Sequence, residues 1–195
     1  MTEPSSLRFP PLSQEEMSAA QRRAYEAIRR FTAAVDRGPF PMMLRSPGAE
    51  ELMALSDYIR FRISIELRLA EFAILIHARL WTDQYEWQAH EPRALNAGLS
   101  VAVVADLKAG RRPAAMRPDE AAVYDFAVAL SQHHAVADGT FRRAVELLGE
   151  AGVADLTVLL GLYVMVSYVL GVSEITSPPG MTPPLVPLAE PLPLD

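Results

Sequence analysis

The sequence predicts an all-α protein built as a single domain. Apolar residues recur at helical spacing in one segment after another, as in Val123, Phe126, Ala127 and Leu130. These segments start at residues that cap helices, such as Ser13 and Asp83, and stop at glycines such as Gly98 and Gly110. No stretch sustains the period-two alternation of a half-buried strand, and there is neither an internal repeat nor a glycine-rich phosphate loop. With 195 residues, half of them hydrophobic, the chain is long enough to bury one sizeable core.

Taken in order, residues 1–12 read as a leader, extended from Pro4 to Pro11. Ser13-Gln-Glu-Glu16 has the capping-box pattern and opens a helix of about two dozen residues reaching Asp36. Gly38-Pro-Phe-Pro41 breaks the chain, and Ser46-Pro47 starts a second helix with Leu52, Leu55, Ile59 and Ile63 on its apolar stripe. Leu67 to Trp81 is the third. Thr82 or Asp83 caps the fourth, which closes at Gly98 with Leu99 as the hydrophobic residue of a Schellman-type end. Pro92 lies inside that helix and is expected to kink it just after His90.

Ser100 to Ala109 reads as a short helix, followed by a basic, proline-marked loop from Arg111 to Pro118. Asp119 to His134 is amphipathic. Asp138 caps a helix running to about Gly149, and Val153 to Val172 forms the last one. That last helix is nearly all apolar, but Asp155, Gly161, Ser167 and Gly171 suit a buried core or subunit-interface helix better than a membrane span. The helical domain thus covers residues 13–177. Residues 178–195 form a proline-rich tail whose leucines and Val186 suit a groove on the same or a neighbouring subunit.

A net charge of −6 argues against a nucleic-acid surface and points to a small-molecule substrate or protein partners. The absence of cysteine excludes thiolate chemistry and disulfides. No secretory signal is visible in the first twenty residues, so a cytoplasmic location without membrane association is expected.

Titratable residues concentrate in the otherwise apolar stretch from Glu71 to His90. Buried ionisable groups need partners or a use. Asp83, Glu86 and His90, spaced i, i+3, i+7, share one helix face, and Glu71 lies on the preceding helix. This makes a candidate acid/base pocket, with His90 as proton shuttle, Glu86 one turn earlier to orient the ring, and Glu71 as second carboxylate. Asp83, Tyr85 and Trp87 are candidate substrate contacts. Plainer roles exist for each: Glu86 closing a capping box with Asp83, Glu71 paired with Arg68, His90 satisfying a carbonyl freed by Pro92, and Tyr85 and Trp87 as core or interface aromatics. His77, His133 and His134 are assigned no chemistry.

Six segments in order, Gly38-Pro-Phe40, Leu44-Arg-Ser-Pro47, Arg68-Leu-Ala-Glu71, Ala78-Arg-Leu-Trp81, Tyr85-Glu-Trp-Gln-Ala-His90 and Ala97-Gly-Leu99, resemble the carboxymuconolactone decarboxylase family over residues 9 to 175. The resemblance implies an AhpD-like all-helical fold and a homo-oligomer, trimer or hexamer. In the peroxidase branch of that fold a glutamate is followed by a Cys-x-x-Cys-x-x-x-His run. Glu71 and His90 match its glutamate and histidine, while Asp83 and Glu86 stand at the cysteine positions, which rules out thiol peroxidase chemistry. What the resemblance still implies is a site without cofactor or metal, performing decarboxylation or proton transfer on a small carboxylate, lactone or carbonyl compound. The rival readings are a metal site with Glu71, Glu86 and His90 as ligands, and a non-catalytic oligomeric scaffold.

Overall fold

In the computed structural model, described for residues 7–30, 32–177 and 180–194, the chain forms α-helices and, among those residues, no strand. The helices are α1 (Ala19–Arg29), α2 (Phe40–Met43), α3 (Ala49–Phe61), α4 (Leu67–Trp81), α5 (Gln84–Asn96), α6 (Val101–Lys108), α7 (Pro118–His133) and α8 (Asp138–Val172). The expected residues 1–6 of the leader, Pro178 and Pro179 of the tail, and Asp195 lie outside the described residues.

α4 is the axis of the fold. Every residue from Arg68 to Arg79 is buried, because α5, α7 and α8 surround it. A helix apolar on all sides belongs at the centre of a bundle. Its polar members are therefore forced to find partners. Arg68 reaches Glu120 and Asp119 at the start of α7, both at 2.5 Å, so it is not the partner of Glu71. Arg79 is the exception: it lies beneath the tail near Gly110 and Leu188, and its Nε and Nη1 atoms find no hydrogen-bond partner. A smaller cluster, with Ala24, Ile28, Met43 and Met53 at its centre, joins α1, α2 and α3.

The third to sixth expected helices stand within a residue or two of their expected ends. Leu99 is buried and its N–H reaches the Ala94 carbonyl behind a left-handed Gly98, the anticipated Schellman end. α5 runs through Pro92 as one helix. Elsewhere the boundaries move. Ser13 and Glu16 do bond each other, but they close an isolated turn; the working capping box is Ser18 with Gln21, placed just after the buried Met17. The first helix ends at Arg29, and Thr32 Oγ1 takes the Ala34 N–H in a side-chain turn instead of continuing it. The expected break at Gly38 to Pro41 holds the one-turn α2, with Pro41 in its first turn, where a missing N–H costs nothing.

α3 stops before Ile63, and Leu55 faces outward, while Ala49, Met53 and Ile59 are buried and Leu52 packs against the smaller cluster. The two helices expected after Asp138 form one, interrupted at Gly149, whose φ of 74° a residue with a Cβ rarely adopts. Asp138 is its first residue rather than its cap. Asp155 is buried and receives the Tyr58 hydroxyl and the Ser64 N–H, both at 2.7 Å, pinning α8 to the end of α3.

α8 is the one described helix long and apolar enough to cross a membrane by length and composition, and 56% of that window is buried inside the fold. Beyond Gly149 its outward residues are uncharged except Glu150, and include Ala154, Thr157, Val158, Gly161, Tyr168 and Val172. The tail packs on its own chain: Leu185 and Leu192 are buried, Gln84 bonds both main-chain groups of Leu185, and Tyr124 and Gln132 donate to the carbonyls of Pro193 and Leu192.

Candidate active site

The turn from α4 to α5 sets the geometry. Asp83 accepts the Glu86 N–H on Oδ1 at 3.1 Å and so caps α5, but Glu86 does not return its side chain to Asp83. The carboxylate of Glu86 instead runs along the helix to His90, one turn on, where its Oε2 is 3.3 Å from Nε2. Glu71 meets the other edge of the ring from α4, its Oε2 2.6 Å from His90 Nδ1. Tyr163, from α8, completes the group, its hydroxyl 3.2 Å from Nε2 and its ring edge-to-face with the imidazole. Three helices thus deliver four polar side chains to one buried point.

These contacts decide the proton inventory. At 2.6 Å, Nδ1 donates to the Glu71 carboxylate, which fixes the tautomer and leaves Nε2 to exchange protons. Burial disfavours the charged ring, yet the hydrogen bonds and charges of Glu71 and Glu86 outweigh it and hold the His90 pKa above its ordinary value. Burial, reinforced by the charge of Glu86, pushes the Tyr163 phenol far up, so it stays a donor.

His90, Glu86 and Tyr163 line a cavity of about 170 Å³. Its apolar walls include Phe40, Met43 and Leu162, and Arg60 and Arg93 complete the lining. Tyr85 lies in the wall, held by close approach to Gly38: a Cβ there would fall 2.2 Å from the Tyr85 hydroxyl oxygen. A cavity of roughly 150 Å³ accepts a molecule of benzene's size. This one therefore suits a single small ring or a short chain bearing an anionic group.

Two expected substrate contacts lie elsewhere. Trp87 is fully buried in the core, donates to Glu91 and has Lys108 over its ring. Asp83 is directed away to Ser167, whose hydroxyl donates to it at 2.6 Å and contacts His77 Nε2 at 3.0 Å. His77 stays out of the acid/base group, as assigned. Burial pushes its pKa down to about 4, so it is neutral. Tyr163, Arg60 and Arg93 were missed. The phenol of Tyr163 in a nearly apolar helix was the available signal, being the same oddity that singled out His90.

The donor atoms do not converge as metal ligands. Glu71 and Glu86 engage opposite nitrogens of the ring, so the imidazole stands between them, and no group of three metal-ligating side chains occurs among the described residues. Comparison of the chain with protein-family models, with curated proteins and with solved structures returns no match.

Proposed function

We propose that the protein is an enzyme of the carboxymuconolactone decarboxylase type, which moves a proton at the carbon next to a carbonyl, without a cofactor, on a small carboxylate or lactone acid. The observation that carries this reading is the buried Glu71–His90–Glu86 chain with Tyr163 at its open end, facing a cavity of ring size. Ion pairs kept only for structure need no such opening.

Arg60 and Arg93 orient the substrate carboxylate at the cavity wall. His90 Nε2 takes the proton from carbon, the electron pair passes into the carbonyl, and the Tyr163 O–H donates to the enolate oxygen. Glu71 and Glu86 stabilise the imidazolium so formed. Return of the proton to a different carbon isomerises a double bond. Loss of a carboxyl group β to the carbonyl as carbon dioxide generates the same enolate, which takes its proton from the Nε2–H of His90 in the protonated, imidazolium form that the raised pKa favours.

The uncharged stretch of the outer face of α8 at Ala154, Thr157, Val158 and Gly161 favours a homo-oligomer, trimer or hexamer by the family resemblance, and a net charge of −6 favours solubility, in keeping with the cytoplasmic location expected from the sequence. The test of the reaction is deuterium incorporation from D2O, followed by NMR, into a panel of small keto acids and unsaturated lactone acids, with carbon dioxide release measured in parallel. Exchange or decarboxylation that disappears in His90→Asn is expected. Activity equal in wild type and His90→Asn would remove the proposal.

A further inference from the structure

A second cavity, of about 420 Å³, lies where α4 and α8 end, and it shares no lining residue with the active-site cavity. Its chemistry is of the opposite sign. Among the described residues of its walls, Asp83 is the only charged one. Asp83 accepts from the Ser167 hydroxyl and from the Glu86 and Tyr85 N–H groups, which together oppose the upward pull of burial on its pKa and still leave a lone pair on the carboxylate. The last residue of α4, Trp81, and the last of α8, Val172, are both wall residues, while the positive N-terminus of α5 beside them is covered by Asp83 as its cap.

The aromatic content is equally specific. Trp81 and Tyr168 are 42% and 60% exposed, and they meet edge-to-face with ring centroids 5.2 Å apart. Behind Trp81, at 5.5 Å, stands the neutral His77, which opposes no incoming cation. Thr82, between Trp81 and Asp83, is held at a φ of 52°, an unusual conformation for a β-branched residue. Such strain concentrates at binding sites. One cation is already drawn to this end of α8: Arg8 of the leader donates to the Val172 carbonyl at 3.1 Å and pairs with Glu174.

We propose that this cavity binds a small organic cation, a primary or quaternary ammonium, against the faces of Trp81 and Tyr168 with Asp83 as its counter-charge. Aromatic faces and a carboxylate are the recognition chemistry of an ammonium group, and Arg8, the cation drawn to this end of α8, is engaged by the Val172 carbonyl and Glu174 rather than by Asp83. The site is independent of the reaction proposed above, since it uses none of Glu71, Glu86, His90 or Tyr163.

The experiment titrates full-length protein with choline chloride and, separately, with the neutral isostere 3,3-dimethylbutan-1-ol, following tryptophan fluorescence and the indole N–H resonances. Trp87 is fully buried, so Trp81 is the reporter. The expected result is a saturable, one-to-one response to choline, about tenfold tighter than to the alcohol and weakened by salt. Asp83→Asn, which keeps a good helix cap, and Tyr168→Leu should each weaken it severalfold. Equal response to the neutral alcohol would overturn the proposal in favour of a plain apolar pocket. So would choline affinity unchanged in Asp83→Asn and Tyr168→Leu, or an absent response with Trp81 shielded by self-association in sedimentation.

Discussion

Replacing Glu71 by glutamine keeps the size of the side chain and removes the charge that faces His90 Nδ1 at 2.6 Å. Both residues are buried, so solvent screens little of the loss. A hydrogen bond to a charged partner is worth about 1.5–3 kcal/mol. The part of it that belongs to the imidazolium alone is lost, so the His90 pKa falls from its raised position. Glu86, at the longer 3.3 Å, remains and keeps the fall from being larger.

The amide also has a choice the carboxylate lacks. If it donates its N–H to Nδ1, the ring proton moves to Nε2, the nitrogen at the cavity can no longer accept, and activity drops by about 10³–10⁴-fold. If it accepts through its oxygen, the tautomer survives and only the pKa changes. The ¹⁵N and ¹³C resonances of His90, followed through a pH titration of Glu71→Gln, distinguish the two and report the pKa directly. A ring that titrates at the wild-type pH with the wild-type tautomer would show that Glu71 does not hold it, and the site would shrink to Glu86, His90 and Tyr163.

Because the folded pKa of His90 is raised, the stability its protonated form contributes is complete below the unfolded value near 6.5 and is lost as pH rises through the folded value. Melting temperature should therefore decline on the alkaline side in wild type, and a His90→Gln profile with the same decline would contradict this. Truncation after Pro183 exposes the sites of Leu185 and Leu192, each worth about 1.5–3 kcal/mol, so the melting temperature should fall by roughly 6 °C or more; an unchanged value would mean that the tail's packing adds no stability. Sedimentation at micromolar concentration should give an oligomer that α8 mediates, and Val158→Glu on its outward face should dissociate it, whereas a monomeric wild type would end that reading.

Local rules determined much of this protein from the sequence. Cap, stripe and stop residues sit within a few positions of one another, so α4, α5, α6 and α7 were legible, including the Schellman end at Leu99. Helical spacing alone put Glu86 and His90 one turn apart on a common face, and it marked the stretch from Glu71 to His90 as too ionisable for its apolar surroundings.

Other features depended on choices between local options of similar energy. Ser13 with Glu16 and Ser18 with Gln21 are both competent caps, and burial of Met17 accompanies use of the second. Glu86 could have closed a box on Asp83 or reached His90, and Glu71 could have taken Arg68 had Glu120 and Asp119 not claimed it. The packing of α5, α7 and α8 around α4 resolved the carboxylate alternatives, and the packing of α1 on α3 went with the choice of cap. Docking of α3 and α5 against α8 also brought Arg60, Arg93 and Tyr163 to the cavity, and Trp87 went into the core. Contacts across 73 residues, as between His90 and Tyr163, leave no trace in local spacing, because what fixes them is the shared need of separate helices to bury their apolar faces.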